Sequence, residues 1–504
     1  MNQDNGGIIG KINTPTTSLA SGVWSLDSQF DSQSSSIWPL AFPNTTIANS
    51  CRFNDGSSDY LTKTPSGAGN RRTFTISFWM KRSNISALMK PFSAGASSSP
   101  FTAVEIESTD QLRFVYFNGS AVVTDLSTSR LLRDVSAWYH IVWSVDTTQS
   151  TSSDRVKLYV NGNQETSFDS SHNTYPAENF DYNFNNNQAH EIGRGVYNSA
   201  ENFDGYLAEF IMIDGQQLLP TSFGAFNPVT NIWEPIAYAG TYGTNGFRLD
   251  FADSSALGND VSGNDNDFTV QNLTSIDQTT DTCSNNFATF NSLAYFGKGS
   301  ALEDGNTKAF GDSATSNNEG SFSNIPVSNG KWYTEFKIAS MGTKAWIGIS
   351  DVEYTILENN DAQYRPFTIM VNSDGRLDVR GSGYGAPTST ASWSASYTTN
   401  DILQVAIDLD NNYFYFGKNG TYQNSGDPTS GSSGTGGVAI TSGKNYAFAF
   451  GGYGSSPSAH VNFGNPAFSI SSGNADANGH GNFEYAVPSG YFALNTKNLA
   501  EFGG

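Results

Sequence analysis

Two glutamates one residue apart in the stretch "VEIESTD", Glu105 and Glu107, with Asp110 beyond them, are the nearest approach in this sequence to acids that could cleave a glycosidic bond. A retaining mechanism needs one carboxylic acid to protonate the leaving oxygen while a carboxylate ~5.5 Å away attacks the sugar. Residues two apart on a strand share a face, so Glu105 and Glu107 meet the first requirement. Asp110 does not join them, because "STDQ" reads as a turn before the strand pattern "LRFVYF". The acids are therefore expected to be solvent-facing strand residues, and hydrolysis is only the third reading of this chain.

The remaining reactive side chains are dispersed. His140, His172, His190, His460 and His480 have no His-x-x-His spacing and no adjacent nucleophile motif, so neither zinc nor a serine triad is indicated. His140 falls inside a strand pattern and is expected to be packed. Cys51 and Cys283 are the only cysteines, too few for a disulfide framework or a metal site. Calcium prefers oxygen ligands from a flexible loop, and "DSSALGNDVSGNDNDF" offers them. Asp253, Asp260, Asp265 and Asp267 are its candidate ligands, and turn chemistry of Asn, Asp and Gly is the competing explanation. No cofactor is required by any motif.

Sugar recognition needs aromatic faces together with amides or carboxylates, held on loops. Two loops have this composition. "SSHNTYPAENFDYNFNNN" supplies Tyr175, Phe180, Tyr182 and Asn183, and "GSGYGAPTSTASWSASY" supplies Tyr384, Trp393 and Tyr397. The same rings could instead anchor long loops to the body of the protein.

What must position these loops is a set of strands. "RVKLYVNGNQE" and "NYFYFGKNGTY" each combine alternating bulky residues with an Asn-Gly pair, which supplies the positive φ angles of a two-residue hairpin turn. Each is preceded by another strand pattern, "WYHIVWSVD" and "DILQVAIDLD". The device appears twice because two similar all-β units are expected in tandem.

Composition agrees. Of 504 residues only 14% are charged, 13% are aromatic and 50 are Gly, a balance that favours strands and turns over helical bundles. Lys and Arg total 26 against 47 acids, a net charge of -21, which opposes binding to nucleic acid. The one basic run, "RRTFTISFWMKR" from Arg71 to Arg82, is expected to be the solvated side of a strand. No cationic, then apolar, leader opens the sequence and no run approaches ~18 apolar residues, so neither a signal peptide nor membrane insertion is expected.

Four regions follow. Residues 1–44 are irregular and carry Trp24 and Trp38, expected to dock on another chain. Residues 45–220 hold the first set of strands, 221–282 a partly ordered connector, and 283–504 the second set. The run "PTSGSSGTGG" reads as a surface loop.

The order of "FTISFWMKRS", "WYHIVWSVD", "RVKLYVNG", "HEIGRG" and "FDGYLAEFIMIDGQQLLP" resembles the concanavalin A-like, laminin-G-type family. "GKWYTEFKI", "WIGISD", "DILQVAIDLDNNYFYFGKNGTY" and "VNFG" resemble the SPRY domain, a relative of that fold. The arm "GGIIGKINTPTTSLASGVWSL", with "RFNDGSSDYLTKTPSGAGNRRTFTISFWMKRS" and "SSALGNDVSGNDNDFTV", is similar to lectin-like structural proteins of marine tailed bacteriophages. Glucanases of the first family set an Asp between flanking Glu residues on one strand, an order that Glu105, Glu107 and Asp110 do not reproduce.

These resemblances imply an all-β fold of two concanavalin A-like jelly-roll sandwiches. They imply a non-enzymatic virion protein of tail- or head-fibre type that is made in the host cytoplasm. Its expected partners are other virion proteins, host-surface glycan or protein, and further copies of itself. A capsid or tail decoration with purely structural contacts is the alternative.

Overall fold

The computed structural model describes residues 46–97, 99–228, 230–296, 301–314, 319–352, 367–382 and 387–503. Trp24, Trp38 and Tyr384 lie outside the described residues. Among the described residues the chain forms two β-sandwiches, each of two sheets that are antiparallel except where Phe492–Ala493 pairs parallel with Lys331–Ser340.

In the first sandwich one sheet runs in the order Asn163–Glu165, Val156–Val160, Trp138–Asp146, Thr73–Arg82, Gly205–Asp214, Ser50–Phe53 and Gln278–Thr279, with Phe247–Leu249 also on Gly205–Asp214. The other runs Phe168–Thr174, Val122–Leu131, Gln111–Phe117, Phe101–Ile106, Met89–Gly95, Ala189–Ile192, Tyr60–Lys63 and Thr269–Gln271. Phe78, Phe92, Phe114, Trp143, Phe184 and Phe210 interdigitate between them. The second sandwich is built likewise, with Lys331–Ser340 and Ile402–Asp408 central in one sheet and Lys344–Asp351 and Tyr446–Tyr453 in the other.

Both expected hairpins form. Asn161 and Gly162 have φ of 48° and 77°, and Val160 pairs with Asn163 across the turn. Asn419 and Gly420 have φ of 47° and 84°, and Lys418 pairs with Thr421. Each turn is then covered from outside. Trp233 lies where a side chain at position 162 would project, and the Tyr485 ring lies 2.9 Å from where a Cβ at position 420 would sit.

Residues 221–282 do more than connect. They place Phe247–Leu249 and Gln278–Thr279 in one sheet and Thr269–Gln271 at the edge of the other. Gly224–Phe226 and Trp233–Pro235 pair as a ribbon over the first sheet's outer surface. A second difference lies in the basic run. In Thr73–Arg82 nearly every residue is buried, so Lys81 and Arg82 are not solvated as the basic run suggested. Lys81 ion-pairs with buried Asp281 at 2.8 Å and donates to Asn286 Oδ1 and the Phe287 carbonyl, while Arg82 pairs with Asp110 at 3.0 Å.

The sandwiches meet through direct polar contacts. The Arg52 guanidinium, itself buried, donates to the carbonyl of Ile276 (2.8 Å) in the first module and, more weakly, to that of Pro466 (3.4 Å) in the second. Tyr206 donates to the Gly305 carbonyl at 2.7 Å, and Asn306 to the Ser83 carbonyl at 2.9 Å.

Candidate functional site

On the strand Phe101–Ile106, alternation sends Val104 and Ile106 into the core and leaves Phe101, Ala103 and Glu105 on the other face. The neighbouring strand Gln111–Phe117 sets Phe117 opposite Phe101 and Arg113 opposite Glu105. One end of this outer face is therefore aromatic and the other ionic.

The ionic end is a ladder across the strands. Lys90 Nζ lies 3.2 Å from Glu105 Oε2, and Arg113 Nη1 lies 3.1 Å from Glu105 Oε1. Arg113 also grips Asp125 with two hydrogen bonds of 2.6 and 2.8 Å, and His172 Nδ1 meets the same carboxylate at 2.8 Å. Glu107 reaches Arg113 at 3.3 Å and accepts from Ser127. Burial pushes the Glu105 carboxyl up from its ordinary value, and Lys90 and Arg113 only partly offset this.

Glu105 is thus not the solvent-facing acid that its sequence suggested. It is 4% exposed, with a cation on each oxygen. The two glutamates share Arg113, an arrangement that holds strands together. Asp110 is separate: it sits at φ 71°, buried, with Arg82 and Arg133 on its carboxylate and the Ser86 N–H donating to it. Burial alone would raise its carboxyl, but these donors outweigh burial and hold it below the usual range.

The aromatic end is completed by the loop after Ala189–Ile192. Tyr197 is 44% exposed and stacks on Phe101, ring centroids 5.2 Å apart, with Phe117 at 6.1 Å. Beside it Asn198 donates to Glu201 Oε1 at 3.0 Å, and Glu201 pairs with Lys90. An exposed ring, an amide and a carboxylate converge here on a loop fixed to the sheet by Ser93, which donates to the Arg194 carbonyl and accepts from the Val196 N–H. The sequence contained the signal in "GRGVYNSAENFDG", a Tyr among Asn, Ser and Glu between two strand patterns.

The loops proposed from sequence go elsewhere. The Tyr182 ring is wholly buried edge-on to Phe74 and Phe114, its hydroxyl 3.0 Å from Thr124 Oγ1, and burial raises its phenol well above the usual range. Asn183 is buried and donates to the Thr102 hydroxyl and the Pro100 carbonyl. Phe180 packs against Tyr116 at 4.8 Å and Tyr175 against Phe168 at 6.3 Å, both half-buried. In the second sandwich Tyr397 is buried and donates to the carbonyls of Ala345 and Val371, with half-buried Trp393 against the same core. A buried ring presents no face to a ligand, so Tyr182 and Tyr397 are loop anchors, as is the amide of Asn183.

The acidic loop is organised as turns. Asp260 accepts from the N–H groups of Arg248, Ser262 and Asn266, and Asp267 from that of Asp260. Asp253 accepts from Ser255, and Asp265 adopts the left-handed region at φ 56°. Among the described residues no group of three or more His, Cys, Asp or Glu side chains comes together as a metal site.

One pairing escaped the sequence altogether. Ser77 Oγ lies 2.9 Å from His140 Nε2, under the ribbon that carries Trp233. Burial depresses the His140 imidazole to about 3.

Residues 55–215 match the family described as the concanavalin A-like lectin/glucanases superfamily, a laminin-G-type module, which suggests binding of carbohydrate or protein. No curated protein matches the sequence. Among solved structures, the chain is similar to the SPRY domain of human HERC1 (12% identity, 34% of this chain and 96% of that one, TM-score 0.26). It is similar to a heptameric SAP-like pentraxin from Limulus polyphemus (15% identity, 41% and 94%, TM-score 0.27). It is also similar to domains LG4-5 of the mouse laminin α1 chain (9% identity, 81% and 82%, TM-score 0.28). The fold is all-β and concanavalin A-like.

Proposed function

We propose that this chain is a non-enzymatic virion protein whose first sandwich binds a host-surface glycan at the Tyr197 rim, with Phe101 and Phe117 behind the ring and Asn198 and Glu201 beside it. The observation that carries the reading is the exposed Tyr197 ring backed by Phe101, because stacking needs an accessible face held rigidly. The virion assignment rests on the sequence resemblance of the arm and the 52–83 and 254–270 stretches.

Stacking adds about 0.5–1.5 kcal/mol beyond area burial, so Tyr197→Ala should weaken attachment to host cells or to immobilised surface glycan by about two- to tenfold. Unchanged attachment by a folded variant would remove the receptor role from this face. For the second sandwich the alternative of a structural decoration is favoured by the burial of Tyr397, which leaves that ring unable to reach a ligand.

A further inference from the structure

The Lys81 side chain is 1% exposed, and its Nζ has three acceptors: Asp281 Oδ2 at 2.8 Å, Asn286 Oδ1 at 2.7 Å and the Phe287 carbonyl at 3.2 Å. Those three use every proton of an ammonium. The Tyr206 ring lies 5.5 Å from the same nitrogen. Lys90, the other buried lysine among the described residues, meets the carboxylates of Glu105 and Glu201, so of the two only Lys81 has a carboxamide beside its amine.

That carboxamide is held in one orientation. Asn286 Nδ2 donates to the Ser136 carbonyl at 2.7 Å while Oδ1 faces Lys81, and a flip would set the amide nitrogen against the ammonium and the amide oxygen against a carbonyl. The Asn286 backbone is fixed too, its N–H donating to Thr496 Oγ1 at 3.0 Å and its carbonyl accepting from the Thr496 N–H at 2.9 Å. Buried Asp281 is equally constrained. Its Oδ2 faces Lys81, and its Oδ1 accepts from the Trp138 indole and the Phe287 N–H, both at 3.2 Å. A carboxamide and a carboxylate are thereby fixed within hydrogen-bonding distance of one buried amine. Nucleophile, acyl group and proton carrier stand together, as an intramolecular amide transfer requires.

We propose that Lys81 and Asn286 form a self-modification site, at which Nζ and Cγ join in an isopeptide bond while Asp281 carries the protons. An ammonium has no lone pair, so Asp281 Oδ2 first takes a proton from Nζ. The freed electron pair then forms the Nζ–Cγ bond, as Nζ swings from Oδ1 to the carbon that bears it. The Cγ–Nδ2 bond breaks and its electron pair goes to Nδ2. Two protons in all pass from Nζ through Asp281 to Nδ2, which departs as ammonium, and the carboxylate is restored. No oxidant, reductant or second substrate enters. Burial excludes the water that would compete with Nζ for Cγ.

The bond closes a chain separation of 205 residues, from the strand Thr73–Arg82 of the first sandwich to the segment leading into the second. A cross-link over so long a loop restricts the unfolded chain as a disulfide does, and a reductant does not undo it.

The test is intact-mass spectrometry of the whole purified protein, denatured and reduced, followed by proteolysis and sequencing of the fragments. The native chain should be lighter than its sequence by the mass of one ammonia, and one branched peptide should join Lys81 to Asn286. Asp281→Asn, Lys81→Arg and Asn286→Ala should each restore the missing ammonia and lose the branched peptide. Full sequence mass in the folded native protein would overturn the proposal. So would an ammonia loss that maps to a succinimide at an Asn-Gly pair such as Asn161–Gly162, or a branched peptide that survives Asp281→Asn. The native protein alone supplies the first two of these outcomes, so a variant that fails to fold leaves the test decisive.

Discussion

Trp233 donates its indole N–H to His140 Nδ1 at 3.0 Å. An indole nitrogen can only donate, so Nδ1 must be the unprotonated nitrogen and the neutral ring carries its proton on Nε2, facing Ser77. The serine–histidine pair therefore has the separation of a nucleophile and its base with the opposite polarity. His140 gives a hydrogen bond to Ser77 Oγ and has no lone pair there with which to take its proton.

That arrangement predicts a pH dependence. The imidazole titrates near 3 in the folded chain and near 6.5 when unfolded, so the unfolded state binds the extra proton first. The contribution of His140 is fully present above about pH 6.5 and is lost as pH falls from there toward 3. In urea unfolding across this range, the difference between the native protein and His140→Gln should shrink steadily with acidification. A constant difference would contradict it. A fluorophosphonate probe should leave Ser77 unlabelled.

The ionic ladder predicts unequal costs for its members. Removing Arg113 leaves Glu105 and Asp125 buried without their shared cation, and breaking buried pairs in this way costs about 3–5 kcal/mol. Arg113→Met should approach that loss in urea unfolding. Glu107→Gln, which keeps an acceptor for Ser127, should cost under about 1 kcal/mol. If Glu105→Gln and Glu107→Gln together abolished a measured glycan cleavage, the non-enzymatic reading would fall.

For the acidic loop, Asp260→Ala should destabilise the first sandwich by about 1–3 kcal/mol, because three backbone N–H groups lose their acceptor. Millimolar calcium or its chelation should leave the melting temperature of the native protein unchanged. A calcium-dependent rise abolished by the same substitution would show that these carboxylates can leave their turns for a cation.

Lys81 and Asp281 form a knot at the start of the second sandwich, since Lys81 also holds Asn286 and Phe287 and Asp281 accepts from Trp138. Lys81→Met should strand the Asp281 charge and loosen the junction. Unfolding followed by tryptophan emission and by far-ultraviolet dichroism should then cease to coincide. Coincident transitions with an unchanged midpoint would show that the knot couples nothing.

What was legible in the sequence was what depends on neighbours along the chain. The turns at Asn161–Gly162 and Asn419–Gly420 need only two residues that tolerate positive φ, and flanking alternation fixes the register. Features made by remote segments were not legible. Thr73–Arg82 lost its exposed face to segments more than a hundred residues away, the ribbon over Trp79 and residues 281–287 over Lys81, so no local pattern could mark Lys81 as buried. Tyr182 sits in a stretch crowded with Asn that reads as exposed loop, yet the loop turns inward and places the ring between the sheets. Tyr197 has fewer aromatic neighbours in sequence and gains its platform from strands paired across the sheet.

The polar bolts between the sandwiches have a mechanical side. Domains on a flexible tether sample many separations, and a second attachment is diluted over all of them. Here Arg52, Tyr206 and Asn306 join the modules without slack, so the Tyr197 rim and the second sandwich stand at one spacing. The distance from that rim to the second sandwich is thus a fixed length of the body, set by three side chains, where a tether would give a distribution of lengths.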